Sequence, residues 1–178
     1  HSYIVYGPLL AGCTTIVYEG KPVGTPDAGA FWRVCAQHGV KAMFTAPTAI
    51  RAIKREDPEG RLMACHDLGR LEALFLAGER CDPDTVLWAE TLLRRPVIDH
   101  WWQTETGWAI TGNFRGLGLF PTRPGSGGKP SPGYDLRVLD EAGREVPRGT
   151  IGDLVVKLPL PPSCLPTLWN NDQGFRDA

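Results

Sequence analysis

The chain has 178 residues, 42% of them hydrophobic and 22% charged, which is enough apolar material to bury the core of one domain. Its formal net charge of -1 leaves no excess of Lys and Arg for nonspecific binding to nucleic-acid phosphates. No apolar run reaches the ~18 residues that a membrane-crossing helix needs. The 5 cysteines are odd in number, widely spaced and free of C-x-x-C, so they read as reduced, mostly buried thiols. The 4 histidines form no H-E-x-x-H and read as structural; His100 is the one to watch because it lies inside DHWWQTETG, residues 99–107.

Residues 1–12 are apolar with a Gly-Pro break and predict a buried helix or an extended lead-in segment. Thr14 to Tyr18 (TTIVY) is a strand by propensity. A loop of turn residues follows, and Thr25-Pro26-Asp27 opens a helix that carries Phe31, Val34, Cys35 and His38 and stops at Gly39. Lys41 to Thr45 is a short strand, and Ala46-Pro47-Thr48 starts a helix with Ile50, Ile53 and Lys54 along one side. DPEGRLMACHD, 57–67, reads as a surface connection. Leu71 to Ala77 is a buried strand broken by Gly78. Asp82-Pro83 caps a helix through Val86, Trp88, Leu92 and Leu93, and Pro96 precedes a strand from Val97 to Trp101.

Strand and helix thus alternate through the first hundred residues, the signature of a parallel α/β sheet. The 21 glycines and 16 prolines concentrate after residue 112. There DLRVL (135–139) and LVVK (154–157) read as antiparallel strands joined through a turn at DEAGRE. The expected organisation is an α/β portion over residues 1–112 and a loop-rich β portion over 113–178. The chain starts at His1, not Met, which suggests a piece of a longer protein.

Two loops stand out. Gly78-Glu79-Arg80 follows one strand, and Thr104-Glu105-Thr106-Gly107 follows the next, with one helix between. In a parallel sheet the carboxyl ends of the strands line the ligand crevice, so both loops open on the same edge. Gly78 would let a flat ring approach the backbone, Trp101 could stack on it and Asp99 could accept from an exocyclic amine. Thr104 could donate to a phosphate and Glu105 could hold Mg²⁺. The same residues also fit a purely structural role, with Gly78 ending a strand and the tryptophan pair packing. In a strand Trp101 and Trp102 would point to opposite faces. PGSGGKPSP (124–132) has glycines and a lysine, but it is not G-x-x-x-x-G-K-[ST], and Pro130 stands where a helix should begin. It reads as a turn into DLRVL. No G-x-S-x-G marks a serine nucleophile.

WWQTETG, AGER at 77–80 and TAPTAIRAI at 45–53 together resemble the acetyl-CoA synthetase branch of the adenylate-forming (AMP-binding) enzymes. The run from Gly125 to Lys157 is similar to the segment that follows in that branch. GKPVGTPDAG, AGERCD and VVKLPLPP are most similar to propionyl-CoA synthetases and the mitochondrial short-chain acyl-CoA synthetases.

The resemblance covers essentially the whole chain and implies part of a large N-terminal adenylation domain. It implies a two-step reaction: a short carboxylate attacks the α-phosphate of MgATP, and CoA then displaces AMP. It implies that adenine packs against Gly78, Glu79 and Arg80, where Arg80 replaces a Pro of the acetate enzymes. Asp99, His100, Trp101, Trp102, Gln103 and Thr104 would form the nucleotide-binding run, with His100 in place of a Thr. Trp101 would lie on adenine and Trp102 would limit acyl length. Thr104 would reach the α-phosphate, and Glu105 would help hold Mg²⁺. Ala77 stands where acetate enzymes have a Val that touches the acyl group, which makes propionate the expected substrate and acetate the alternative.

The partners implied are propionate, ATP and CoA, with neither nucleic acid nor membrane; the compartment would be the cytoplasm in a bacterium or the mitochondrial matrix in a eukaryote. The family's Thr/Ser/Gly-rich phosphate loop is expected before His1, and its ribose-binding Asp and catalytic Lys after Ala178. These 178 residues alone are therefore expected to be inactive. A noncatalytic nucleotide-binding module is the alternative of a different class.

Overall fold

The parallel part of the fold is a three-stranded sheet in the order β1-β2-β3, from Ala42–Thr45, Ala73–Leu76 and Val97–Asp99. A computed structural model describes residues 5–177. Its helices are α1 (Gly7–Leu10), α2 (Ala30–His38), α3 (Pro47–Glu56), α4 (Arg61–Ala64), α5 (Pro83–Leu93) and α6 (Asp172–Asp177). Four further strands follow β3: β4 (Thr111–Gly112), β5 (Lys129–Pro130), β6 (Asp135–Leu139) and β7 (Asp153–Lys157). The chain packs as two units: one holds the residues up to Trp101 together with 112–128, the other 102–111 together with the residues from 129 onward.

In the first unit each parallel crossover carries helix, as the alternation predicts. The register pairs Thr45 with Leu76 and Leu76 with Asp99, so the three strands end level. Two of the helices are punctuated by their own sequence. Asp82 caps α5 by accepting from Thr85 N at 2.9 Å, and Gly39 closes α2 in the left-handed conformation. Ile50 and Ile53 from α3, Val86 and Ala89 from α5, and Leu74, Leu76 and Val97 from the sheet are all buried in one cluster. Trp32 on α2 joins it at 1% exposure. The expected α2 face of Phe31, Val34 and His38 is only half-buried or exposed, apart from Cys35.

Several expectations are corrected. Helix α2 starts at Ala30, because Asp27 folds back to accept from Gly29 N at 2.8 Å in a local turn. TTIVY forms no strand: β-branched residues favour a ladder only where a partner strand exists, and residues 14–18 pair with none among the described residues. Helix α1 contains no buried residue, and Leu10 is 87% exposed; residues 1–4, His1 among them, lie outside the described residues. The 57–67 connection is not all surface. Asp57 is 5% exposed and accepts from the amides of Arg61, Leu62 and Met63 at 2.7, 2.9 and 3.3 Å, which satisfies the start of α4. The last parallel strand ends at Asp99, so strand alternation does not reach the tryptophan pair.

In the second unit β6 and β7 pair antiparallel, Asp135 opposite Lys157 and Leu139 opposite Asp153. The DEAGRE turn closes with Gly143 N donating to Asp140 O at 2.9 Å and Asp140 Oδ1 accepting from Arg144 N at 2.9 Å. After the 124–128 glycine loop the chain runs strand, turn, strand from Lys129 to Leu139, with no helix start. This is the turn reading of PGSGGKPSP.

Candidate functional site

The strand ends of the first unit carry most of the candidate residues. Ala77 N donates to Thr45 O at 3.3 Å and His100 N donates to Leu76 O at 3.1 Å, so the ladder runs one residue past both strands. Ala77 is buried at 5% exposure. Gly78 then turns the chain at φ 101°, a conformation that L side chains rarely adopt, and a Cβ there would meet open space. The glycine is thus required by the backbone angle, and the space beside it is free.

The 78–82 loop is pinned from three sides. Arg51 on α3 donates to Glu79 Oε1 at 2.6 Å and to Asp82 Oδ2 at 3.3 Å. Arg80 Nε donates to Gly125 O at 3.0 Å. Cys81 N donates to Asp99 Oδ2 at 3.0 Å, which ties the loop after β2 to the end of β3. Burial raises the Asp99 pKa, and the amides of Cys81 and His100 and the charge of Arg80 offset part of the rise. Burial also raises the Asp82 pKa, but hydrogen bonds from Thr85 and Arg51 outweigh it and leave a net lowering.

His100 is buried at 7% exposure. Its Nδ1 lies 2.8 Å from Leu76 O; a carbonyl only accepts, so Nδ1 carries the hydrogen. Its ring meets Phe44 and Phe75 edge-on, at centroid distances of 5.7 and 5.8 Å. Burial lowers its pKa, partly countered by its backbone hydrogen bonds. In this setting His100 is a neutral packing group. Trp101, half-buried, ends the first unit.

The remaining candidates are carried by the second unit. Trp102 is half-buried, and Gln103, Thr104 and Glu105 are exposed. Thr104–Thr106 form one 3₁₀ turn with a reciprocal cap: Gln103 N donates to Thr106 Oγ1 at 3.2 Å, and the Gln103 side chain accepts from the Thr106 amide. Gly107 follows at φ 65°. Thr104 and Glu105 offer a hydroxyl and a carboxylate to solvent from a fixed turn. Oxygen donors of this kind suit Mg²⁺ carried by phosphates, which needs one or two carboxylates from protein. Among the described residues no three His, Cys, Asp or Glu side chains gather into a metal cage.

Two groups around these loops are not marked by any short motif. Arg51 is 28 residues from Glu79, and its only signal is its place in TAPTAIRAI. Tyr134, 28 residues from Thr106, donates to that residue's carbonyl at 3.2 Å. All five cysteines are free, with Cys35, Cys81 and Cys164 buried; burial, with nearby carboxylates adding, pushes the Cys81 thiol up to about 12, which keeps it unreactive.

Residues 1–161 match the AMP-binding enzyme family. The chain is 55% identical over 177 residues to the human mitochondrial acyl-CoA synthetase short-chain family member 3, covering 99% of this chain and 26% of that protein. It is 50% identical over 177 residues to the propionate–CoA ligase of Escherichia coli, covering 98% of this chain and 28% of the ligase. A crystal structure of Brucella canis acyl-CoA synthetase superposes with a TM-score of 0.73 at 38% identity, over 86% of this chain and 27% of that one. The anthranilate CoA ligase AuaEII, solved with anthranoyl-AMP, shares the fold with a TM-score of 0.73 at 24% identity, over 94% of this chain and 30% of that one. The chain spans about a quarter of the length of the curated relatives it matches. It belongs to the AMP-binding enzyme family.

Proposed function

We propose that the protein to which this chain belongs activates a short-chain carboxylate, with propionate first, as an acyl-adenylate and passes the acyl group to CoA. The observation that carries this reading is identity of 50–55% along almost the whole chain to proteins named short-chain acyl-CoA synthetase and propionate–CoA ligase. The level strand ends, with Cys81 N of the 78–82 loop bonded to Asp99, support it.

In this reading the chain works by positioning and charge stabilisation. The adenine ring lies in the free space at Gly78, against the backbone of Glu79 and Arg80 and the ring of Trp101. Asp99 is aimed by Cys81 N–H on one oxygen and accepts from the exocyclic amine with the other. Thr104 donates to the α-phosphate as the substrate carboxylate attacks phosphorus and pyrophosphate leaves. Glu105 helps hold Mg²⁺, which when bound neutralises phosphate charge. The CoA thiol then gives up its proton to solvent and attacks the acyl carbonyl, and AMP leaves with the bonding pair.

Trp102 limits acyl length in this reading, and Ala77 sets preference. A pocket distinguishes one methylene by about 1–3 kcal/mol, and replacing Val by Ala opens room for that methylene. The complete natural protein is therefore expected to show at least a tenfold higher kcat/KM for propionate than for acetate, and Ala77→Val to narrow the ratio. Equal or better kcat/KM for acetate defeats the propionate assignment. These 178 residues span only about a quarter of the length of such proteins. We hold that the 178 residues alone are inactive; carboxylate-dependent ATP–pyrophosphate exchange by that polypeptide would overturn this.

A further inference from the structure

The 3₁₀ turn at Thr104–Thr106 has more carbonyls than it can satisfy itself. Gln103 O accepts from Thr106 N at 3.1 Å, and Thr104 O accepts from Gly107 N at 3.4 Å. The next two carbonyls have no following helical turn to supply donors, and both are capped from elsewhere in the second unit. Leu165 N donates to Glu105 O at 2.6 Å, and the Tyr134 hydroxyl donates to Thr106 O at 3.2 Å. The Tyr134 hydrogen is then committed. The contact of Cys164 Sγ with the same phenol oxygen, also 3.2 Å, must therefore be an S–H donating to oxygen. Tyr134 and Cys164 are 7% and 8% exposed, so water competes little for either bond. Gly107 completes the fit, because a Cβ there would collide with the backbone oxygen of Ser163.

We propose that Tyr134 is a positioning residue: with the Leu165 amide and the Cys164 thiol it clamps the backbone of the Thr104–Thr106 turn, and so holds the Thr104 hydroxyl and Glu105 carboxylate in the orientation the reaction uses. This rests on the adenylation reading above. The geometry separates clamp from chemistry. The groups that hold the turn are backbone carbonyls and a buried phenol; the groups it presents are exposed side chains. Loss of the clamp leaves every substrate-contacting group in the chain and changes only how tightly the turn is held. The effect should therefore fall on kcat and on the Mg²⁺ requirement and spare carboxylate KM.

The test uses the complete natural protein with Tyr134→Phe, which keeps the ring and removes the hydroxyl. Propionate-dependent ATP–pyrophosphate exchange is expected to lose about tenfold in kcat, with carboxylate KM within about twofold, because misplaced reacting groups lower the rate more than binding. The Mg²⁺ concentration for half-maximal rate should rise severalfold. Amide hydrogen exchange in a peptide spanning 103–108 should accelerate about tenfold, as expected for one lost hydrogen bond, while β1 to β3 stay unchanged. Cys164→Ala should move the same readouts less, and Cys164→Ser, whose hydroxyl can donate in the thiol's place, should restore them. Unchanged exchange at 103–108 in Tyr134→Phe overturns the clamp. Faster exchange with normal kcat and Mg²⁺ dependence overturns its role in positioning. A wild-type protein with no carboxylate-dependent exchange refutes the adenylation reading, and with it the positioning role, while the amide data still decide the clamp.

Discussion

The loops at 78–82 and 104–107 both bend at a glycine of positive φ, yet they are held by different physics. The first follows a strand buried at three of its four residues, and its pins are mostly side-chain charges: Arg51 to Glu79 and Asp82, and Asp99 to Cys81 N. The second rises from no regular strand and is held by backbone carbonyls capped by Leu165 N and Tyr134. A loop on a rigid sheet end needs only its direction fixed, and exposed ion pairs suffice. A lone 3₁₀ turn has no scaffold, so its backbone groups must be satisfied individually.

One substitution, made at each glycine in turn, separates the two loops most. Gly107→Ala combines an unfavourable φ with a collision at Ser163 O; we expect about 3–4 kcal/mol of local destabilisation and at least a hundredfold loss of activity. Gly78→Ala carries the backbone strain alone, about 1–2 kcal/mol, because its Cβ meets open space. Amide exchange in peptides covering each loop measures both, and equal costs would show that the tight packing at Gly107 has no energetic role.

Within the first loop, Asp82→Ala removes a helix cap as well as an ion-pair partner and should cost about 1–2 kcal/mol at the start of α5. Arg51→Ala loses only half-exposed ion pairs and should cost less than about 1 kcal/mol. Chemical unfolding at low and high salt ranks the two; salt should weaken the Arg51 contribution and leave the cap. A separate effect concerns pH. His100 has a lowered pKa in the folded chain, so the unfolded chain takes the proton first. Stability is intact above the ordinary value of 6.5 and is lost as pH falls from there through the folded value, by at most about 1.4 kcal/mol per pH unit. His100→Thr should flatten the difference in unfolding midpoint measured at pH 7.5 and 5.5; an unchanged difference would assign that slope to other groups.

Much of the first unit is legible in the chain because its signals are local. Short apolar runs bounded by Gly and Pro marked all three parallel strands, and Asp82-Pro83 marked the start of α5. TTIVY failed because a strand exists only with a neighbour, and propensity says nothing about neighbours. Asp57 was missed as a buried cap because its partners are amides, which every sequence has. That the loop after β2 starts at the carboxyl end of a parallel sheet followed from strand–helix–strand logic alone. The support from Arg51 and Tyr134 did not, since both act across 28 residues or more.

By itself, then, the amino-acid sequence determined the alternation of elements and the motif run that identifies the family, because periodicity, caps and glycines act over a few residues. Tertiary structure alone decided which groups hold the two loops. It made His100 a neutral packing residue between two phenylalanines, set Arg51 across two carboxylates, and turned Tyr134 and Leu165 toward the carbonyls of the Thr104–Thr106 turn. Those assignments depend on which distant groups burial brings within hydrogen-bond reach.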